Sequence, residues 1–491
     1  MISVKLSKDE YEYDVYILIK AFYSEEQILI NKSSESAQDK ELEIDINLSL
    51  DTIHVLAKFN GVVSYEKKDT VLSENEKEYK NQVKRCLYNL LSNLTNITLP
   101  WGILTGVRPS KLALEPLEHG VSEELIKERF KKEYLCSEEK TNLSLMVAKR
   151  ELELLTSIDY KNSYSIYIGI PFCPSTCLYC SFTSYSIDKM SHMVNTYLEA
   201  LKKEITYAKT AFPNKNLSTI YIGGGTPTSL STTQLEELLI HVNNTFDISK
   251  LMEYTVEAGR PDSITPEKLK LLKKYGVTRI SINPQTMVQK TLDVIGRKHT
   301  VDDVIKVYRE ARELGHDNIN MDIIIGLPGE NKDDVEYTLK EIKELDPESL
   351  TVHTLAIKRA ARLNIEKENY QDMAAIDTKK MLELTMDYAK EHDYLPYYLY
   401  RQKNMADNLE NIGYSKYGKE GIYNVLIMEE KQTILALGAG ALSKFVFHDE
   451  NRIERVENVK SLKDYIERID EMIERKRIFL YNNGMKLERN F

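Results

Sequence analysis

Between about residues 163 and 360 the chain repeats one pattern. Six short apolar runs (SIYIGIPFC, STIYIGGGTP, MEYTVEAGRPD, TRISINPQT, INMDIIIGLPG and SLTVHTLAI) are separated by longer stretches such as TTQLEELLIHVNNTF and VDDVIKVYREAREL. The runs are β-rich and short, as strands are, and the stretches between them carry apolar residues at helical spacing. Strands alternating with helices predict a parallel sheet, open or closed into a barrel. Each run ends in residues that are not simple core: Cys, Gly-Gly-Gly, Glu, Gln or Asp. A βα barrel builds its site from the C-terminal ends of several strands, so functional side chains are expected there.

The flanking zones read differently. In residues 1–160, YDVYILIKAFY and IHVLAKFNGVVSYE alternate like strands, and helices are expected around 75–95, 122–134 and 138–156, an α+β accessory domain. Between these helices, LPWGILTGVRPSKL holds the single Trp, Trp101. It reads either as a packed turn or as an edge of the active site, with Arg108 and Lys111 reaching an anion. Residues 361–491 contain the helical AAIDTKKMLELTMDYAKEHD, the aromatic YLPYYLY, the Gly-rich LALGAGALSK and a charged terminal helix. They are expected to form a mostly helical domain covering the substrate. At ~100–200 residues per domain, a chain of 491 residues holds two to four.

A formal net charge of −10 argues against a general nucleic-acid binder but leaves room for a local basic pocket. No apolar run approaches the ~20 residues of a membrane span, and acids stand where a signal peptide would be apolar; a cytoplasmic location is expected. Of five cysteines, Cys86 and Cys136 are isolated, while Cys173, Cys177 and Cys180 crowd one loop. In a reducing compartment such crowding reads as metal or redox chemistry. Ordinary iron–sulfur clusters have four Cys ligands. With three here, one iron stays open for something other than protein. The alternative is a zinc site completed by a distant His192 or His299. Gly223-Gly224-Gly225-Thr226-Pro227 follows the second run; it lacks the GK[ST] ending of a phosphate loop, and glycines let a backbone approach a ligand closely.

At CxxxCxxC the chain resembles the radical S-adenosylmethionine (SAM) superfamily, which implies a partial (β/α)6 barrel over residues 161–360 and two cofactors, a [4Fe–4S] cluster and SAM. In that superfamily the open iron takes the amino and carboxylate groups of SAM, whose cleavage yields a 5′-deoxyadenosyl radical. With GGGTP, Glu257, Gln285, Arg297 and Asp322, the chain looks more narrowly like the oxygen-independent coproporphyrinogen III oxidases. WGILTGVRP and LYRQKN resemble their coproporphyrinogen dehydrogenase branch, HemZ, which has an extra N-terminal domain. The resemblance implies that Tyr167 lies beside the cluster, that Gly224, Gly225 and Thr226 hold the methionine part, that Glu257, Gln285, Arg297 and Asp322 bind its polar groups, and that Ala356 lies near the adenine. Some members continue to a fourth Cys; here that position is Phe182.

The implied reaction is oxidative decarboxylation of two propionates of coproporphyrinogen III to vinyls. Such a flat tetracarboxylate needs cations and an aromatic wall. Lys358, Arg359 and Arg401 are the leading cations, with Arg362 and Lys403 behind them, and Tyr397, Tyr398 and Tyr400 are the candidate wall. A flavodoxin or ferredoxin is the expected electron donor, with no nucleic-acid or membrane partner, and the extra domains favour a monomer. Two rivals remain: a heme chaperone on the same scaffold, and a radical SAM enzyme, such as a methyltransferase, with another substrate. Heme chaperones typically carry HNxxYW after the barrel; the single Trp101 precludes it here.

Overall fold

A computed structural model describes residues 1–24, 26–31, 42–73, 75–181, 184–356, 361–366, 377–401 and 409–484. The chain divides into two compact units, Met1–Lys149 and Arg150–Phe491. In the first unit a five-stranded sheet has the order Ile28–Ile30, Ile2–Leu6, Leu42–Leu48, Thr52–Phe59, Val62–Thr70. IHVLAKFNGVVSYE forms the last two strands, antiparallel and turned at Asn60 (φ 50°) and Gly61 (φ 80°), the residue pair that a tight hairpin favours. YDVYILIKAFY, in contrast, is not a strand: Glu12–Phe22 is a helix. Its β-branched and aromatic content suits strands, but Val15, Leu18, Ile19 and Phe22 are buried at helical spacing, and that face, once packed, outweighs intrinsic propensity. Trp101 is buried in a packed turn. Leu104 donates to its carbonyl at 3.0 Å, and Cys136 Sγ reaches the same oxygen at 3.3 Å.

The six apolar runs of the second unit form six consecutive parallel strands: β1 Ser163–Ile170, β2 Asn216–Gly224, β3 Glu253–Gly259, β4 Arg279–Ile282, β5 Ile319–Ile325 and β6 Ser349–Thr354. Helices such as α1 Ile187–Ala211, α2 Thr232–Thr245, α3 Val301–Glu313 and α4 Lys332–Leu345 lie between them. Along the strands the period-2 alternation separates two environments, except in β4, where all four residues are buried. Ile166, Ile168, Ile220, Ile222, Val256, Ile280, Ile282, Met321, Leu350 and Val352 are fully buried, each stabilising the fold by about 1.5–3 kcal/mol relative to exposure. The alternate positions, including Tyr167, Tyr221, Glu257, Asp322 and His353, are partly open and bond one another.

The last zone adds strands to both edges of this sheet. They are β7 Leu395–Tyr400, β8 Asn411–Ser415, β9 Thr433–Leu437, β10 Leu442–Phe447 and β11 Arg452–Glu457, giving an eleven-stranded order β7-β8-β6-β5-β4-β3-β2-β1-β9-β10-β11. β8 runs antiparallel to β6, and β9 parallel to β1. The N-terminal ends of the barrel strands are plugged. Glu253 accepts from the backbone N–H groups of Ile422 (2.6 Å) and Tyr423 (3.3 Å), fixing the start of helix Ile422–Glu429. Arg279 donates to Ser349 Oγ (2.7 Å), Asn318 Oδ1 (2.8 Å) and the Lys419 carbonyl (2.9 Å).

Candidate cofactor site at the barrel mouth

Beyond β1, Pro171 leads into the short strand Phe172–Cys173, which pairs in parallel with Tyr185–Ser186. The loop that follows carries Cys177, buried, and Cys180, partly exposed; none of the three cysteines is in a disulfide. Leu178 anchors the loop in an apolar cluster with Leu292, Ile295, Ile324, Leu327 and Leu363. Its N–H donates to the Ile295 carbonyl at 3.0 Å and its carbonyl accepts from Leu363 at 2.9 Å. Among the described residues no three His, Cys, Asp or Glu side chains converge on one ion position. Cysteines spread over one loop suit a cluster, where each takes a different iron.

The Gly-rich turn after β2 packs directly against the cysteine strand. Gly225 N–H donates to the Ile170 carbonyl (2.8 Å) and Thr226 N–H to the Phe172 carbonyl (2.7 Å). A Cβ on Gly225 would stand 2.6 Å from the Phe172 oxygen, and one on Gly223 2.7 Å from the Glu257 carboxyl carbon. Gly224 turns with φ 105°, where a side chain is strained. Thr226 Oγ1 lies 3.5 Å from Cys173 Sγ.

Around this turn the inward positions of the strands form one polar chamber. Tyr167 stacks on Tyr221 (6.1 Å between ring centroids) and Tyr221 on Tyr423 (4.5 Å). Tyr221 Oη donates to Glu257 Oε1 at 2.5 Å. Burial pushes the Glu257 carboxyl up to about 7, opposed by the Tyr221 bond and reinforced by the neighbouring Asp322. Burial would also raise Asp322, but His353, Asn320 and Thr351 outweigh it and hold that carboxyl below its usual range. Asn320 Nδ2 donates to Asp322 Oδ1 at 2.7 Å; His353 Nε2 is 3.9 Å from its Oδ2, and His353 Nδ1 is 3.4 Å from Tyr400 Oη.

Gln285 sits just past β4 with φ 69°, unusual for a side chain of its size. It is pinned by hydrogen bonds with Asp322 and Ile324 of the neighbouring strand. Arg297 is buried and donates to the Asn283 carbonyl (2.6 Å) and Tyr179 Oη (3.2 Å). Gln285 Oε1, Asn283 Oδ1 and Arg297 Nε are buried with no hydrogen-bond partner in the protein. Buried polar atoms are normally satisfied, so three such atoms at one mouth fit a polar ligand. Ala356, partly buried, follows β6.

The structure thus gathers Tyr167, Gly224, Gly225, Thr226, Glu257, Gln285, Arg297 and Asp322 with the three cysteines on the inward faces of the strands and just beyond their C-terminal ends. The tetrapyrrole-binding candidates are less coherent. Tyr397 is fully buried, with its hydroxyl accepting from Asn424, so it is core rather than wall; Tyr398 and Tyr400 stack on each other. Arg401 is buried and Arg362 pairs with Glu366. Lys358, Arg359 and Lys403 lie outside the described residues, as does Phe182. The sequence reading passed over Tyr221, Arg260, His353 and Tyr423. The first three were within reach, since each lies on the same strand face as, or just beyond, a residue singled out there; nothing local marked Tyr423.

A family model described as the Radical SAM superfamily matches residues 167–342. Over 83% of the chain, the sequence is 44% identical to the oxygen-independent coproporphyrinogen-III oxidase-like protein HemZ of Bacillus subtilis, covering 82% of that protein. The chain belongs to the radical SAM family of oxygen-independent coproporphyrinogen III oxidase-like proteins. Its cofactors are a [4Fe–4S] cluster and SAM. The same family includes a heme chaperone, HemW of Bacillus subtilis, 36% identical over 62% of this chain and 76% of its own. The solved coproporphyrinogen III oxidase of Escherichia coli, a radical SAM enzyme, shares the fold with a TM-score of 0.51 at 22% identity, over 66% of this chain and 73% of that one. No helix among the described residues is long and apolar enough to cross a membrane.

Proposed function

We propose that this protein is an oxygen-independent coproporphyrinogen III oxidase, converting two propionates of coproporphyrinogen III to vinyls and giving protoporphyrinogen IX. The observation that carries this reading is the 44% identity to a coproporphyrinogen-III oxidase-like protein along most of both chains, joined to a chamber built for a polar cofactor. When bound, the cluster and SAM supply a carbon-centred radical able to remove a hydrogen atom from an unactivated carbon. Cys173, Cys177 and Cys180 hold three irons. The turn at Gly224 and Gly225, with Thr226, receives the methionine part. Glu257, Gln285, Arg297 and Asp322 take its polar groups, Tyr167 stands beside the cluster and Ala356 near the adenine. The protein's share is binding, orientation and exclusion of water. Arg401, with Lys358 and Arg359, is assigned to the substrate carboxylates, and a flavodoxin or ferredoxin to electron delivery.

The test is anaerobic reconstitution with iron and sulfide, then incubation with SAM, reductant and coproporphyrinogen III. Mass spectrometry should show loss of two carboxyl groups with deoxyadenosine formed; deoxyadenosine without any decarboxylated product would remove the substrate assignment. The similarity to HemW favours a second reading, a heme chaperone. The position of the single Trp, Trp101, ahead of the barrel weighs against it. Tight stoichiometric heme binding with no turnover would reverse the order of the two.

A further inference from the structure

A buried cation stands behind the cysteine loop, and the cofactor assignment above makes no use of it. β3 ends with a register shift between Glu257 and Gly259. Gly259 takes φ 68°, and the chain turns out of the sheet so that Arg260 runs across the barrel mouth. Arg260 is 3% exposed. Its Nη1 donates to the Ser175 carbonyl (2.9 Å), to Ser175 Oγ (2.8 Å) and to Cys177 Sγ (3.7 Å). The other edge of the guanidinium is clamped by Asp262: Nε to Oδ1 at 3.0 Å, Nη2 to Oδ2 at 2.7 Å. His299, also buried, places Nδ1 3.9 Å from Asp262 Oδ1. A two-point carboxylate–guanidinium pair fixes the plane of the Arg as well as its place. One side chain therefore grips the backbone between two cluster ligands and aims a fixed positive charge at one of their sulfurs.

We propose that Arg260 is a positioning residue that raises the reduction potential of the cluster, with Asp262 as the counter-charge that moderates it. Cluster potentials respond to net charge, to hydrogen bonds on the sulfurs and to exposure. Reduction adds one negative charge beside Cys177. A cation within hydrogen-bond reach of that sulfur, excluded from solvent, stabilises the reduced state more than the oxidised one. Groups outside the ligand set commonly tune metal sites in this way. Arg260 would act on any cluster held by these three cysteines, so the inference rests on the cluster part of the proposed function and not on the tetrapyrrole.

The experiment is a redox titration of the reconstituted full chain, monitored by electron paramagnetic resonance, without any tetrapyrrole and with iron content measured in parallel. Arg260→Gln should lower the potential by at least a factor of ten in the one-electron equilibrium, about 59 mV. Arg260→Lys, which keeps the charge and loses the fork, should fall between wild type and Gln. Asp262→Asn should move the potential the other way, upward. An Arg260→Gln protein with full iron content and the wild-type potential overturns the proposal. If Arg260→Gln loses its iron, Asp262→Asn decides alone, and an unchanged or lowered potential there overturns it. Wild-type protein that reduces normally and cleaves SAM, yet leaves coproporphyrinogen III untouched, would sink the substrate assignment and leave this one standing.

Discussion

Glu257 shows how one carboxyl can carry both a cofactor contact and a pH dependence. Its pKa is pushed up to about 7, so at neutral pH it is half protonated, whereas accepting hydrogen bonds from the cofactor's N–H or O–H groups calls for the ionised form. SAM affinity in the cluster-loaded protein should therefore weaken below pH 7, approaching tenfold per unit, with proton release on binding at neutral pH. Isothermal titration in buffers of different ionisation enthalpy measures both, and Glu257→Gln should abolish the dependence along with most of the affinity. Glu330, buried and bonded by Thr286 at 2.6 Å, is also pushed up by burial to about 7. A carboxyl raised in the native state contributes stability that is complete below about pH 4.5 and is lost as pH rises through 7. Denaturation midpoints at pH 5.5 and 8 should differ in this sense for wild type and differ less in Glu330→Gln, with Glu257 supplying the remainder. Most of these residues were legible in the sequence because strand ends are where polar residues interrupt β-rich runs. Arg260 and His353 lay within reach by strand position but were passed over; Tyr423 had no local mark at all.

At the scale of elements, the Gly-rich turn and the cysteine strand behave as one piece. Gly225→Ala would drive a methyl against the Phe172 and Ile170 carbonyls. Backbone oxygens cannot yield as side chains do, so the expected cost is about 1–3 kcal/mol in denaturant titrations, with lowered iron retention because Cys173 moves with Phe172. Gly223→Ala meets instead the Glu257 and Tyr221 side chains, and should reduce SAM affinity more than stability. The six parallel strands were plain from their alternation with helices. The strands of the last zone were not: YLPYYLY and LALGAGALSK read as an aromatic segment and a turn, because a strand that completes a sheet edge is specified by the partner it meets as much as by its own sequence. The helix at Glu12–Phe22 was misread for the opposite reason, a strand-like composition overruled by its buried face.

For the second unit as a whole, the barrel and the segments after it share one hydrogen-bonded sheet and one buried ion pair. Glu204 on α1 accepts from Lys476 Nζ (2.6 Å), Asn458 Nδ2 (2.9 Å), Tyr465 Oη (2.6 Å) and the Gly438 N–H (2.8 Å), and both members of the pair are fully buried. Lys476→Met would leave a buried carboxylate without its cation, at a cost of about 3–5 kcal/mol. The double variant with Glu204→Leu should recover much of it, as read by urea unfolding.

The placement of β9 has a consequence for how the molecule is made. β1 is bordered on one side by β2, which follows it closely in the chain, and on the other by Thr433–Leu437. A ribosome adds about 5–20 residues per second, so the nascent barrel waits roughly ten seconds or more for its outer neighbour. During that time the backbone beside the cysteine loop offers unpaired N–H and C=O groups to any passing chain. Slower translation lengthens this exposure rather than relieving it.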